Sequence, residues 1–322
     1  MIGLWRFAQM MNWDHVRFYT YLERGFPKPY DGYVKRRTIL DEGHPILTVA
    51  LPLWKAKDIA WLALESLCNQ RDVTFHWELI VLEEEEDKFG HERLLEYKQR
   101  LHTAGCTRII HLSLGKWMPL PQKWKHIQGR ASESSLYFLL QAGDCYAQAW
   151  RLADTVRLFD MGADWVNASK GIFYHIGENR ALAYDANYPE YPTKQGLNMA
   201  CRTRLLDNYP DDHRRSGVDG FLWLLCLKNK GSDLVTKWTP NHWQAGFDTH
   251  GLNNISAGRQ GYFDSVDPPF FKLDENFERY IPPYVMKRLR SLRPLVTAKT
   301  QTSSWIGTKE WFFDAVGGKY EI

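Results

Sequence analysis

The sequence predicts an α/β protein built on a largely parallel, covered sheet. Short apolar strand-like runs alternate with amphipathic helical segments from Ile46 to Leu140. That alternation is the pattern of βαβ units. The stretch His44–Asp87 is one complete unit: an apolar strand ending in a Pro-containing turn, a helix, and a second strand ending in a run of acids. Polar and charged groups follow the strand ends, and ligands of open α/β sheets bind just beyond the carboxyl ends of strands. A nucleotide-type pocket is therefore expected here, without a glycine-rich phosphate loop.

The elements follow in order. Ile46–Leu51 is a strand of β-branched and aliphatic residues. Asp58–Asn69 is a helix, with Ile59, Leu62, Ala63, Ser66 and Leu67 on one face. Trp77–Leu82 is the next strand. Glu92–Ala104 reads as a helix stopped by Gly105. Arg108–Leu112 is a third strand, Gln122–Ser134 a helix, and Leu136–Leu140 a fourth strand. The later part is less regular and mixed.

Three regions separate: a short basic, aromatic segment 1–44, the alternating region 45–258, and a basic, proline-containing extension 259–322. The first contains two helix-like runs, Leu4–Met10 and His15–Glu23, then a turn feeding the basic strand that holds Lys35, Arg36 and Arg37. The last contains Lys287, Arg288, Arg290 and Arg293, a basic patch or a membrane-surface helix. Net charge is only +3, so a nucleic-acid footprint must come from local clusters of this kind. The five cysteines form no CxxC pair, which fits a reduced, cytoplasmic setting. The opening residues lack the apolar run of a signal peptide, and no stretch has the length of a membrane span.

In detail, the region from Ile46 to about Asp144 resembles the front half of a family 2 type glycosyltransferase with a GT-A fold. Three motifs carry the resemblance in the family's order and spacing: Pro52-Leu53-Trp54-Lys55, Ser66-Leu67-Cys68-Asn69-Gln70 and Glu83-Glu84. Trp54, at a strand end, is suited to stack on a uracil ring, and Glu83 or Glu84 to accept a hydrogen bond from base or ribose. The family has Asp at that place. The resemblance also implies a cation on the helix before the fourth strand. Lys125 matches by spacing, and Lys123 competes with it. Where the family has a D-x-D motif, this chain has Gln141, Gly143 and Asp144. Gly143 would let the backbone approach a diphosphate. Asp144 alone would hold Mn²⁺ or Mg²⁺ together with donor oxygens. A late histidine implied by metal-dependent members is His250, with His242 second.

On the acceptor side the resemblance implies an acid at a helix start. Asp219, ahead of the apolar run FLWLLCL, fits as the base of an inverting displacement from a UDP-sugar. Asp211 and Asp212 are alternatives. Residues 1–44 in turn resemble excisionase and MerR-like winged-helix modules through Arg24-Gly25-Phe26-Pro27-Lys28-Pro29. That resemblance implies DNA contacts by Arg17, Lys35, Arg36 and Arg37. Joined, the two resemblances imply an enzyme that glycosylates a hydroxymethylated pyrimidine in double-stranded DNA, of the kind bacteriophages use to modify DNA. The rivals are an enzyme directed at polysaccharide or protein, and a non-catalytic DNA-binding protein on a degenerate GT-A scaffold.

Overall fold

The computed structural model describes residues 34–168, 170–185, 199–207, 218–231, 233–238, 246–250, 271–273 and 275–296. The fold is mixed α/β, as the sequence predicts. Its frame is a sheet of eight strands among the described residues: β1 (Val34–Asp41), β2 (Leu47–Pro52), β3 (Trp77–Glu84), β4 (Cys106–Leu114), β5 (Tyr137–Leu140), β7 (Trp165–Asn167), β10 (Ala200–Arg202) and β11 (Thr236–Trp238). Their order is β1-β4-β3-β2-β5-β10-β7-β11. β2 pairs parallel with β3 and with β5, and β3 parallel with β4. β1 and β10 run antiparallel to their neighbours.

The central strands are buried from end to end, β3 over all its residues, which is why they read as continuous apolar runs rather than alternating ones. Residues of opposite parity feed two cores. Val49, Leu51, Leu79, Val81 and Ile109 join one. Ala50, Ile80, Leu82, Ile110 and Leu112 join the other. Helix α1 (Trp61–Cys68) contributes to the first core, while α4 (Leu120–Gln128) and α6 (Val218–Lys230) contribute to the second. The expected helix over 92–104 is two short ones, α2 (His91–Leu95) and α3 (Lys98–Thr103). Only Leu94 and Leu101 of them are buried, too few apolar positions to seat one continuous face. Helix α4 ends at Gln128 rather than Ser134, where Gly129 follows.

A second sheet has the order β13-β9-β8-β12-β6. Its strands are β6 (Cys145–Ala147), β8 (Lys170–His175), β9 (Arg180–Asp185), β12 (Gly246–His250) and β13 (Phe271–Leu273). Helix α5 (Arg151–Asp160) follows β6.

The described segments of both flanks pair or pack with the rest of the chain. β1 carries Lys35–Arg37, yet it is the edge strand of the main sheet, with Val34 opposite Leu114 and Thr38 opposite Ile110. It is a sheet edge rather than the wing of a separate module. At the other end, β13 pairs with β9, and α7 (Pro283–Ser291) turns Val285, Met286 and Leu289 into the first core. The Arg288 guanidinium lies 4.0 Å from the Trp61 ring centroid. Tyr284 accepts a hydrogen bond from Asn69 at 2.8 Å and donates to Glu65. The apolar face that a membrane-surface helix needs is consumed by the core. Among the described residues no helix is long and apolar enough to cross a membrane.

Leu289→Ala should accordingly lower stability by about 2–5 kcal/mol, the ordinary cost of emptying a buried leucine site. A thermal melt unchanged from the parent would mean that α7 is not part of the core.

Candidate functional site

The strand order reverses between β2 and β5. From β2 the chain moves outward to β3 and β4, then returns to place β5 on the other side of β2. The carboxyl ends of β2 and β5 lie side by side there, at the usual ligand position in such sheets. The loop leaving β2 carries Pro52, Leu53, Trp54 and Lys55, and the loop leaving β5 carries Gln141–Cys145.

The two loops touch. A Cβ at Gly143 would lie 2.5 Å from Cδ2 of the buried Leu53, so any larger residue would have to displace that side chain. Packing therefore favours glycine here, a reason separate from any approach to a diphosphate. Trp54 is 37% exposed on the rim. Lys55, in the left-handed region at φ 47°, lies over the Trp54 ring and pairs with Glu86 at 2.6 Å. Trp117, 44% exposed in the β4–α4 loop, is a rim aromatic that motif reading passed over.

The paired acids face opposite ways, as successive strand residues must. Glu84 meets Lys123: Nζ lies 2.7 Å from Oε1, both side chains almost wholly buried. Lys123 also donates to the Leu53 carbonyl at 2.7 Å, and the Met118 N–H donates to Glu84 at 3.1 Å. Burial holds the Lys123 ammonium below its ordinary value against the opposing pull of Glu84. Glu83 turns to the other face. It accepts the N–H groups of Phe89 and Gly90 at 2.8 and 3.0 Å and lies 2.7 Å from His111 Nε2. His91 stacks on that imidazole at 5.5 Å. Both glutamates are thus engaged with protein groups rather than displayed to a ligand.

Lys123, the competitor, is the lysine that reaches the strand ends. Lys125 lies two residues on, a spacing that puts it on a different face of α4, and it is half-buried with partners of its own.

The β5 loop is held from behind by Gln141 and Arg151, 1% and 3% exposed. Gln141 Nε2 donates to the carbonyls of Ala142 and Cys145 at 2.9 and 2.8 Å. Arg151 donates to Gln141 Oε1 and to the Leu140 carbonyl. Its Nε has no partner among the described residues. Burial lowers this guanidinium to about 9, so it stays charged at neutral pH. Asp144 is half-buried beside Cys145, whose thiol donates to it at 3.7 Å.

For a metal, no cluster of three His, Cys, Asp or Glu side chains forms among the described residues. The backbone does bring two candidates to neighbouring strand ends. β12 pairs with β6 through Asp248 opposite Cys145, so His250 is two residues beyond that pair, alongside the turn that holds Asp144. One carboxylate with one imidazole position fits a weakly held cation completed by ligand oxygens. Asp219 is the second residue of α6, at the helix start as expected. Arg17, Asp211, Asp212 and His242 lie outside the described residues.

The basic triplet splits by strand alternation. Arg36 lies opposite Leu112, while Lys35 and Arg37 lie opposite Ser113 and His111. All three are exposed. Arg36 lines a cavity of about 910 Å³ with Arg108, Arg130, His44 and Asp41. That cavity sits toward the amino ends of β2 and β5, away from the crevice. Its arginines are offset by Asp41, Glu133 and the buried Glu78 that Arg108 holds.

No family model and no curated protein matches the chain. Similar solved structures include residues 1–349 of TarS from S. aureus in complex with UDP-GlcNAc, at 14% identity and TM-score 0.49, covering 84% of this chain and 81% of that one. The mannosyltransferase PcManGT from Pyrobaculum calidifontis, in complex with GDP-Man and Mn²⁺, shares 13% identity at TM-score 0.48 over 96% of this chain and 87% of that one. Glucosyl-3-phosphoglycerate synthase from Mycobacterium tuberculosis shares 12% at 0.39 over 79% and 78%. The chain spans 45% of the length of a longer TarS structure.

Two substitutions check this geometry. Gly143→Ala should cost about 1–3 kcal/mol by overpacking, and Leu53→Ala in the same chain should remove that increment, read from denaturation midpoints. Lys123→Ala should cost about 3–5 kcal/mol, because it strands the buried Glu84 carboxylate. Adding Glu84→Gln should recover much of the loss.

Proposed function

We propose that the chain is a glycosyltransferase that moves a sugar from a nucleoside diphosphate donor, UDP in the first instance, to a hydroxyl acceptor. One observation carries the reading. Where the strand order reverses between β2 and β5, the Trp54 loop and the Asp144 loop meet around Gly143, and the succession of motifs that resembles family 2 transferases runs through those same loops. An exposed indole and a carboxylate are thereby brought to one crevice. Trp54 stacks on the base, and the Gly143–Asp144 turn faces the diphosphate. Glu83, Glu84 and Lys123 act as the frame behind them, and Lys125 flanks the same helix.

In the inverting displacement, the Asp219 carboxylate takes the proton of the acceptor hydroxyl. The acceptor oxygen forms a bond to the anomeric carbon as the bond from that carbon to the diphosphate oxygen breaks. The nucleoside diphosphate leaves with the electron pair. A divalent cation held by Asp144 and His250 would supply charge neutralisation for the departing diphosphate. For the acceptor we propose a hydroxymethylated pyrimidine in double-stranded DNA, supported by the exposed cations Lys35, Arg36 and Arg37 along the β1 edge, divided between its two sides, and by the resemblance carried by Arg24–Pro29.

The test is a donor screen by mass spectrometry against hydroxymethyluracil and hydroxymethylcytosine DNA, with Mn²⁺ and with Mg²⁺. Trp54→Ala should raise the donor KM by about tenfold, in line with one lost stacking contact. Asp219→Asn should lower kcat by about 10²–10⁴ with KM little changed. Absence of transfer and of donor hydrolysis with every nucleotide-sugar would sink the enzymatic reading. Transfer to a carbohydrate or protein with no salt-sensitive DNA binding would remove only the DNA acceptor.

A further inference from the structure

The glutamine standing where the resembled family has an acid is not a passive loss. Gln141 does two things at once: its amide oxygen accepts from Arg151, and its amide nitrogen donates to the Ala142 and Cys145 carbonyls. A carboxylate could do the first but has no N–H for the second. The side chain thereby staples both ends of the turn that presents Gly143 and Asp144. Leucine 140, whose carbonyl takes the other guanidinium bond, is the last residue of β5. Arg151 therefore clamps the strand end and, through Gln141, the loop beyond it.

The guanidinium itself is incompletely served. It is enclosed, its described partners are neutral oxygens, and no carboxylate forms an ion pair with it among the described residues. A cation taken out of water without a counter-charge is costly, and the cost is relieved when an anion binds nearby in the same low-dielectric region. The loop it clamps is the one read above as facing a diphosphate.

We propose that Arg151 is a positioning residue for the donor: it fixes the Gln141–Cys145 turn through Gln141, and its unbalanced charge is completed by the donor's diphosphate. This rests on the glycosyltransferase reading. It also explains why the acid is absent at position 141. An aspartate or glutamate there would neutralise the guanidinium and release the staple, so Gln141 and Arg151 form one unit.

The test compares uridine with UDP, because the two share a base and ribose and differ in the diphosphate. Affinities of the full chain for each are measured by calorimetry for the parent, Arg151→Met, Arg151→Lys and Gln141→Glu, with folding checked by thermal melts. Arg151→Met and Gln141→Glu should each weaken UDP binding by about tenfold or more while uridine stays within about twofold, and Arg151→Lys should recover part of the loss. Should Arg151→Met fail to fold, Gln141→Glu carries the comparison, since it keeps the shape and changes the charge. UDP affinity unchanged in the folded variants overturns the proposal, as does an equal fall for uridine and UDP, the mark of a merely structural role. A parent chain that binds uridine and UDP equally overturns it too. A parent that binds neither of them, nor guanosine or GDP, overturns the donor reading itself.

Discussion

The crevice depends on one buried ion pair. Lys123 and Glu84 sit within 2.7 Å of each other with almost no solvent contact, an arrangement that is unfavourable unless each charge is fully hydrogen-bonded. It is made tolerable by what else the pair holds. The ammonium also takes the Leu53 carbonyl, and the carboxylate also takes the Met118 N–H. Three segments far apart in sequence are thereby tied: the turn after β2, the end of β3, and the entry to α4. Leu53 then forms the surface against which Gly143 packs. The order of dependence runs from ion pair to β2 turn to β5 loop. The positions of Trp54 and Asp144 follow from this chain, because their neighbours Leu53 and Gly143 are in contact.

On the opposite face of β3, Glu83 repeats the device with different chemistry. It gathers two backbone N–H groups and the His111 imidazole, and so shapes the turn from Glu85 to Gly90 that leads into α2. Two adjacent glutamates brace two different loops because strand geometry sends their side chains to opposite faces. The edge strand β1 shows the same rule at work on cations. Lys35, Arg36 and Arg37 are contiguous in sequence but divided between the two sides of the sheet, so they do not form one continuous patch.

Much of the frame was legible in the sequence, because parallel strands buried on both faces are short apolar runs rich in β-branched residues and bounded by turn residues. The strands around Val49, Ile80, Ile110 and Phe138 overlap the expected segments, and the helix of Leu62 and Leu67 falls within its expected one. What could not be read was long-range pairing. β1 joins β4 across more than sixty residues, and α7 returns to α1 from near the far end of the chain. Neither contact leaves a local pattern, so both flanks read as separate pieces. At the proposed site, Pro52 ends β2, and Trp54, Gly143 and Asp144 lie in the loops after β2 and β5. The roles of Lys123 and Lys125 were harder to separate, since spacing along a helix gives the face but not the partner across from it.

The presence of glutamates rather than aspartates at the end of β3 has a physical consequence that unites these points. A glutamate carries its carboxylate one methylene further from the backbone, far enough here to reach His111 on one face and Lys123 on the other. Both acids are buried against protein groups, and at the end of β5 Gln141 is likewise turned inward to Arg151. At both strand ends a polar group that would face a ligand instead grips a buried cation or imidazole. Of the two enclosed cations behind the crevice, Lys123 is neutralised by Glu84 while Arg151 meets neutral oxygens among the described residues. The enclosed charge left without a described counter-charge at these strand ends is therefore that of Arg151.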